Sequence, residues 1–161
     1  MEKPQISKKD IEIKVIYIMF KGTYLDFRKN ALKMHKELVA FAEKNNLIIP
    51  NVTKIITIYH DNPFITKGTN LRTSMAMTVP LDSNYKEEGN ISTMNILGKY
   101  AILHYNLSRR EYDEAWKYSY HEWLFKSKEK PRDSFPFEMY ITEPPRNAKD
   151  KSLTDIYIPL E

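Results

Sequence analysis

One acid stands inside an otherwise apolar strand pattern in SFPFEMYITEPP, Ser134 to Pro145. Phe135, Phe137, Met139, Tyr140 and Ile141 suit a packed sheet, whereas Glu138 does not. A carboxylate ringed by tyrosines suits an aromatic cation. The ring faces attract positive charge, and the acid neutralises it where water is partly excluded. The same acid could act as a general base or acid on an electrophilic ligand. The plainer alternative is a solvated Glu138 on an exposed sheet face, paired to a lysine.

Other chemistries find less support. The histidines are His35, His60, His104 and His121, and none has metal-ligand spacing. His121-Glu122 lacks the second histidine of a helical zinc motif. With no cysteine there is no disulfide framework, Cys-based metal site or Cys nucleophile. Only four glycines occur, and no phosphate-cradling G-x-x-x-x-G-K-[ST] loop is present. Ser119 and His121 would project differently from a helix, a weak basis for a nucleophile pair. The expectation is no metal and no cofactor.

The elements that must position Glu138 are written twice. VIYIMF (Val15 to Phe20) reads as a strand, and from Leu25 to Asn45 the spacing turns helical. There Phe27, Ala31, Met34, Leu38 and Ala42 form one stripe. The strand candidates KIITIYH (Lys54 to His60) and RTSMAMTV (Arg72 to Val79) follow, with Pro63, Gly68 and Asn70 marking the turn. KYAILHY (Lys99 to Tyr105) restarts the order. The predicted helix Ser108 to Phe125 has capping-box spacing at Ser108 and Glu111 and the stripe Tyr112, Ala115, Trp116, Ser119, Trp123. FEMYI (Phe137 to Ile141) and TDIYIPL then close it.

Local registers agree. FKGTYLD lies over YNLSRRE, with Thr23 and Ser108 as caps; IYHDNP lies over MYITEP and MTVPL over IYIPL. The predicted fold is α+β, a pseudo-twofold duplication of strand–helix–strand–strand. Antiparallel sheet would carry two long helices on one face and a ligand groove on the other. The whole chain, 1–161, is read as one domain, with a first repeat over about 12–82 and a second over about 96–161.

Strand side chains alternate between faces. Pairing the apolar sets across strands puts Phe137, Met139, Ile141, Ile156, Ile158, Ile56, Ile58, Met75, Met77 and Val79 toward the helices. The opposite face then collects Thr57, Tyr59, Ala76, Thr78, Glu138, Tyr140 and Tyr157, the expected floor of the groove. The strands at 15–20 and 99–105 are apolar on both sides and leave their faces open.

Composition sets the frame. The 161 residues are 42% hydrophobic and 29% charged, ordinary for a soluble domain. No apolar run approaches the roughly 20 residues that span a bilayer. The start, MEKPQISKKDIEIK, is too charged for a secretory signal, so a cytoplasmic location is expected. Net charge is +4, from 25 basic and 21 acidic residues. Its densest cluster, KSKEKPR (Lys126 to Arg132), reads as a solvated loop rather than a nucleic-acid face.

YHDNP (Tyr59 to Pro63), LRTSMAMTVP, ILGKYAILHY, AWKYSYHEWL, FPFEMYITEPP and TDIYIPL, in this order, resemble the GyrI-like small-molecule-binding domain, also called the AraC effector-binding or Rob C-terminal-type domain. The resemblance runs over nearly the whole chain. It implies a groove for small aromatic or cationic molecules, with Glu138 as the characteristic polar contact. It also implies Tyr140, Tyr157 and Tyr59 as lining, with Trp116 and Tyr120 at the edge. Trp123 reads more simply as core. The chain departs from the family at Thr73-Ser74, where an acid is frequent, and at Asn106, near which a glycine is frequent.

Many relatives carry a helix-turn-helix module before this domain. About 14 residues precede the first predicted strand, too few for one, so a stand-alone sensor or sequestering protein without direct DNA binding is expected. Two alternatives follow from the same resemblance. One is a hydrolase of strained or electrophilic compounds, with Glu138 positioning water and Tyr140 polarising the substrate. The other is a protein-interaction module of gyrase-inhibitor type, with a topoisomerase as partner.

Overall fold

A computed structural model describes residues 1–63 and 65–161. The order along the chain is β1 (Gln5–Lys21), α1 (Tyr24–Lys44), β2 (Ile55–Tyr59), β3 (Arg72–Val79) and β4 (Ser92–Ser108), then α2 (Tyr112–Lys117), a π-helical turn (Tyr118–Leu124), β5 (Phe137–Tyr140) and β6 (Lys151–Pro159). Contacts gather these into two compact units, residues 12–97 and residues 1–11 with 98–161. The class is α+β, and the pairings described below are antiparallel.

In the 12–97 unit, α1 starts where Thr23 Oγ1 accepts the Asp26 backbone N–H at 3.1 Å. That bond satisfies one of the donors left over at a helix start. It ends at Asn46, whose φ of 57° turns the chain left-handed. The N–H groups of Asn46 and Leu47 then reach back to the carbonyls of Glu43 and Ala42, and Leu47 closes the end as a buried residue. The buried face of α1 is Phe27, Met34, Leu38, Phe41 and Ala42. It packs on Ile16, Ile18, Met75, Met77 and Val79. Burying a residue such as Leu38 completely contributes roughly 2 kcal/mol.

The second unit packs Ala115 and Leu124, from the helical segment, on Ala101, Leu103, Leu107, Ile156, Ile158 and Leu160. Its helix is not the single long element that the spacing predicts. A 3₁₀ turn at Arg109–Glu111 leads into six α-helical residues, and the following seven widen into the π turn. At its end the Phe125 N–H reaches the Tyr120 carbonyl, five residues back, at 2.9 Å. At the start, the Ser108 N–H donates to Glu111 Oε1 at 2.9 Å, as the capping-box spacing predicts.

Both long strands exceed their predictions. β1 begins at Gln5, inside the charged stretch expected to precede the first strand, and β4 begins at Ser92. In ISKKDIEIKV the exposed lysines and acids hide a strand whose Ile11, Ile13 and Val15 alternate inward.

Cross-strand register corrects the predicted faces. Directly opposed residues of an antiparallel pair share a face. Glu138 opposes Ile156 and Tyr140 opposes Thr154. Ile156 in turn opposes Leu103 and belongs to the core beneath the helical segment. Glu138 and Tyr140 therefore lie on the helix-bearing face, not opposite it. Tyr157 opposes Phe137 and lies on the other face. Likewise Thr57 opposes Met75 and Tyr59 opposes Thr73, so both share the α1 face, while Ile56 and Ile58 pair with Ala76 and Ser74 on the other. Alternation fixes parity within one strand only. Matching apolar sets between strands failed because both faces here are buried, as Ile56, Ile58, Ala76 and Phe137, all at 0% exposure, show.

Candidate functional site

Glu138 is 4% exposed, so its carboxylate is paired by protein rather than by bulk water. The Trp116 indole N–H donates to Oε1 at 2.5 Å, and the Tyr140 hydroxyl donates to Oε2 at 2.7 Å. Hydrogen bonds to an ionised acceptor are short and about twice as strong as neutral ones, which offsets part of the desolvation. The solvated-surface alternative for Glu138 is thereby overturned.

Helical spacing builds the wall above the acid. Tyr112, Trp116 and Tyr120 recur every four residues, one face of the α2 and π-turn segment. Trp116 and Tyr120 stack, with centroids 6.2 Å apart and planes 20° apart. Burial pushes the Tyr120 phenol up to about 12, so it stays protonated at neutral pH. The Tyr112 hydroxyl bonds Thr154 Oγ1 at 2.8 Å. Burial raises the Tyr112 pKa, the Thr154 bond lowers it, and the negative charge of Glu138 raises it further.

Beneath the wall, the Tyr105 hydroxyl lies 2.7 Å from Ser119 Oγ, and the two hydroxyl oxygens lie 3.1 and 2.7 Å from the Ala115 carbonyl oxygen, three contacts that share two protons. These hydroxyls occupy a carbonyl at the point where the helix widens. Single π turns of this kind recur at functional sites.

The structure thus brings together Glu138, Tyr140, Trp116 and Tyr120 among the predicted site residues. Tyr157 lies on the opposite face, stacked on Phe137 at 4.4 Å and 13°. Tyr59 belongs to the 12–97 unit, edge-on to Tyr24 of α1 at 5.7 Å. Tyr112 and Thr154 also join the Glu138 cluster, and neither was a candidate in the sequence. Tyr112 stands in the helical stripe four residues before Trp116, and Thr154 faces Tyr140 only through the register. Trp123 packs against the core cluster, as its simpler reading expects. Among the described residues no cluster of three His, Cys, Asp or Glu could hold a metal ion, and no helix is long and apolar enough to cross a membrane.

Fold and sequence together define a small-molecule-binding domain of α+β class. The family model of the GyrI-like small molecule binding domain matches residues 3–161, and the chain belongs to that family. Comparison with curated protein sequences gives no match. Among solved structures, the C-terminal domain of EcmrR is similar at TM-score 0.76 and 21% identity, covering 98% of each chain. The chain spans 57% of the length of EcmrR in its DNA complex, at TM-score 0.75. A hydrolase from Listeria innocua matches at TM-score 0.66 and 10% identity, over 99% of this chain and 93% of that one. SAV2435 bound to tetraphenylphosphonium matches at 0.59 and 9%, over 98% and 94%. Identities this low establish the fold alone.

Proposed function

We propose that the site binds a lipophilic aromatic cation, with Glu138 as its anchor and Tyr112, Trp116, Tyr120 and Tyr140 as its walls. The carrying observation is a 4%-exposed carboxylate set among aromatic rings. Ring faces and carboxylate attract positive charge together, and partial exclusion of water strengthens both. The role is sensing or sequestration. Support for the ligand class comes from SAV2435, a similar fold solved with tetraphenylphosphonium.

The test is titration calorimetry with tetraphenylphosphonium. A delocalised cation centred about 6 Å from the carboxylate gains roughly 3 kcal/mol at an effective dielectric near 20. Glu138→Gln should therefore weaken binding about 100-fold. Equal affinity in the variant would refute the anchor.

A hydrolase reading has one geometric observation in its favour, the Tyr140 hydroxyl on Glu138 Oε2. A carboxylate to position water and a phenol to polarise an electrophile are then adjacent. Turnover of an aryl epoxide, lost in Glu138→Gln, would select it over plain binding.

A further inference from the structure

The face of β4 and β6 that points away from Glu138 carries a second constellation. His104 directly opposes Asp155 across the β4–β6 pair, so their side chains share that face. His104 Nδ1 lies 2.8 Å from Asp155 Oδ1, and His104 Nε2 lies 3.0 Å from Ser7 Oγ, which arrives on the N-terminal part of β1. Ser7, His104 and Asp155 all belong to the unit formed by residues 1–11 and 98–161.

The protons follow from the partners. A carboxylate only accepts, so Nδ1 carries the hydrogen and donates it to Asp155. Nε2 is then bare and accepts the Ser7 hydroxyl proton. Side-chain exposures are 12% for Asp155 and 42% for His104. The orienting acid is thus covered while the base is open to a ligand. Burial pushes the Asp155 carboxyl up, and the His104 hydrogen bond and the charges of His104 and Lys9 pull it down. Buried acid, histidine in a fixed tautomer and hydroxyl form the constellation that activates a serine, recognised by geometry and not by chain order.

A cleft of about 420 Å³ adjoins it. Ile141 and Leu153 give it apolar lining, and Glu2, Lys3, Gln5 and Asn106 add polar groups of both kinds, donors and a carboxylate.

We propose that Ser7, His104 and Asp155 form a nucleophilic site for small carboxylic esters, separate from the Glu138 site. Ser7 Oγ adds to the ester carbonyl carbon as its proton passes to His104 Nε2. The bond from that carbon to the alkoxy oxygen breaks, and the alcohol leaves with the proton. Water then attacks the acyl-Ser7 carbonyl, giving a proton to His104 Nε2. The carboxylic acid departs as the proton returns to Ser7 Oγ. Ser7 and His104 are the reacting groups, and Asp155 is a positioning residue that sets the tautomer.

The test treats the intact chain with a fluorophosphonate and maps the adduct by peptide mass spectrometry, with 4-nitrophenyl acetate hydrolysis measured alongside. The expected adduct is on Ser7 and is lost in His104→Ala. Hydrolysis should fall at least about 100-fold in Ser7→Ala and His104→Ala, the usual minimum for removing a positioned acid–base group. Asp155→Asn should lower kcat with KM unchanged, which a packing role would not produce. Ser7 is part-buried and the change deletes a single hydroxyl, so Ser7→Ala should melt cooperatively within about 4 °C of wild type. An adduct absent from Ser7, or a Ser7→Ala hydrolysis rate equal to wild type, overturns the proposal.

Discussion

Trp116→Phe separates the two things Trp116 does: stack on Tyr120 and donate its indole N–H to Glu138. Phenylalanine keeps an aromatic face and deletes the donor. A hydrogen bond to a charged acceptor contributes about 1.5–3 kcal/mol net. Trp116 is only partly buried, so the lower end, about 1.5 kcal/mol, applies. For a chain of this length that is a fall in Tm of about 3–6 °C. Cation binding should respond in the opposite direction. In the wild type the indole N–H offsets part of the negative charge on Oε1, whereas in Trp116→Phe that charge is left to attract the cation. Affinity for tetraphenylphosphonium should then rise about tenfold, the equivalent of 1.4 kcal/mol. The assay is a double-mutant cycle with Glu138→Gln, read by thermal melts and by calorimetry. The indole–carboxylate coupling should appear as about 1.5 kcal/mol in stability. A coupling near zero, or weaker cation binding in Trp116→Phe, would refute the reasoning.

Two further outcomes test the register and the protonation states. Tyr157→Phe should leave cation affinity within about twofold of wild type, because Tyr157 shares a face with Phe137 rather than with Glu138; a loss matching that of Glu138→Gln in the same calorimetric titration would contradict the assigned face. His60 packs with Nε2 2.7 Å from Ser74 Oγ. Burial first, then the charge of Arg72, lowers its pKa from 6.5 to about 4, against the pull of Asp61. The unfolded chain therefore takes up this proton at a higher pH than the folded one. The contribution is complete above about pH 6.5 and is lost as pH falls toward 4. His60→Gln should flatten that part of a Tm-against-pH curve, and an unchanged slope would assign the acid sensitivity elsewhere.

Element order was legible because its signals are local. Thr23 caps α1, the Phe27–Met34–Leu38–Ala42 spacing buries one stripe, and Ser108 with Glu111 starts the second helix. Glu138 was legible as an acid in an apolar strand, and Tyr140, Trp116 and Tyr120 do gather around it or its wall. The face was not legible, because it depends on which residue of β6 opposes which of β5. A shift of one residue exchanges every side chain between faces. Apolar content could not choose between the alternatives, since Phe137 on one face and Ile156 on the other are both at 0% exposure. The Ser7–His104–Asp155 chain was invisible for a related reason. Its members are 97 and 51 residues apart, and only strand pairing makes them neighbours.

The π turn bears on how readily the aromatic wall would open. An α-helix holds each carbonyl by a backbone N–H four residues on. The segment that carries Trp116 and Tyr120 has only six regular α-helical residues before it widens. At Ala115 the side chains of Tyr105 and Ser119 supply hydrogen bonds to the carbonyl. The same carbonyl also accepts the Tyr118 backbone N–H, so the lower cost expected for displacing this segment rests on its short α-helical run, six residues against the 21 of α1. Local opening draws on such weakly laddered segments. Glu138 itself sits on β5, paired to β6 through four successive residues, and stays fixed. On the proposed function, a rigid acid beneath a compliant aromatic cover would let cations of different shape reach one charge. Tightening the cover should therefore narrow the range of ligands while leaving the charge requirement intact.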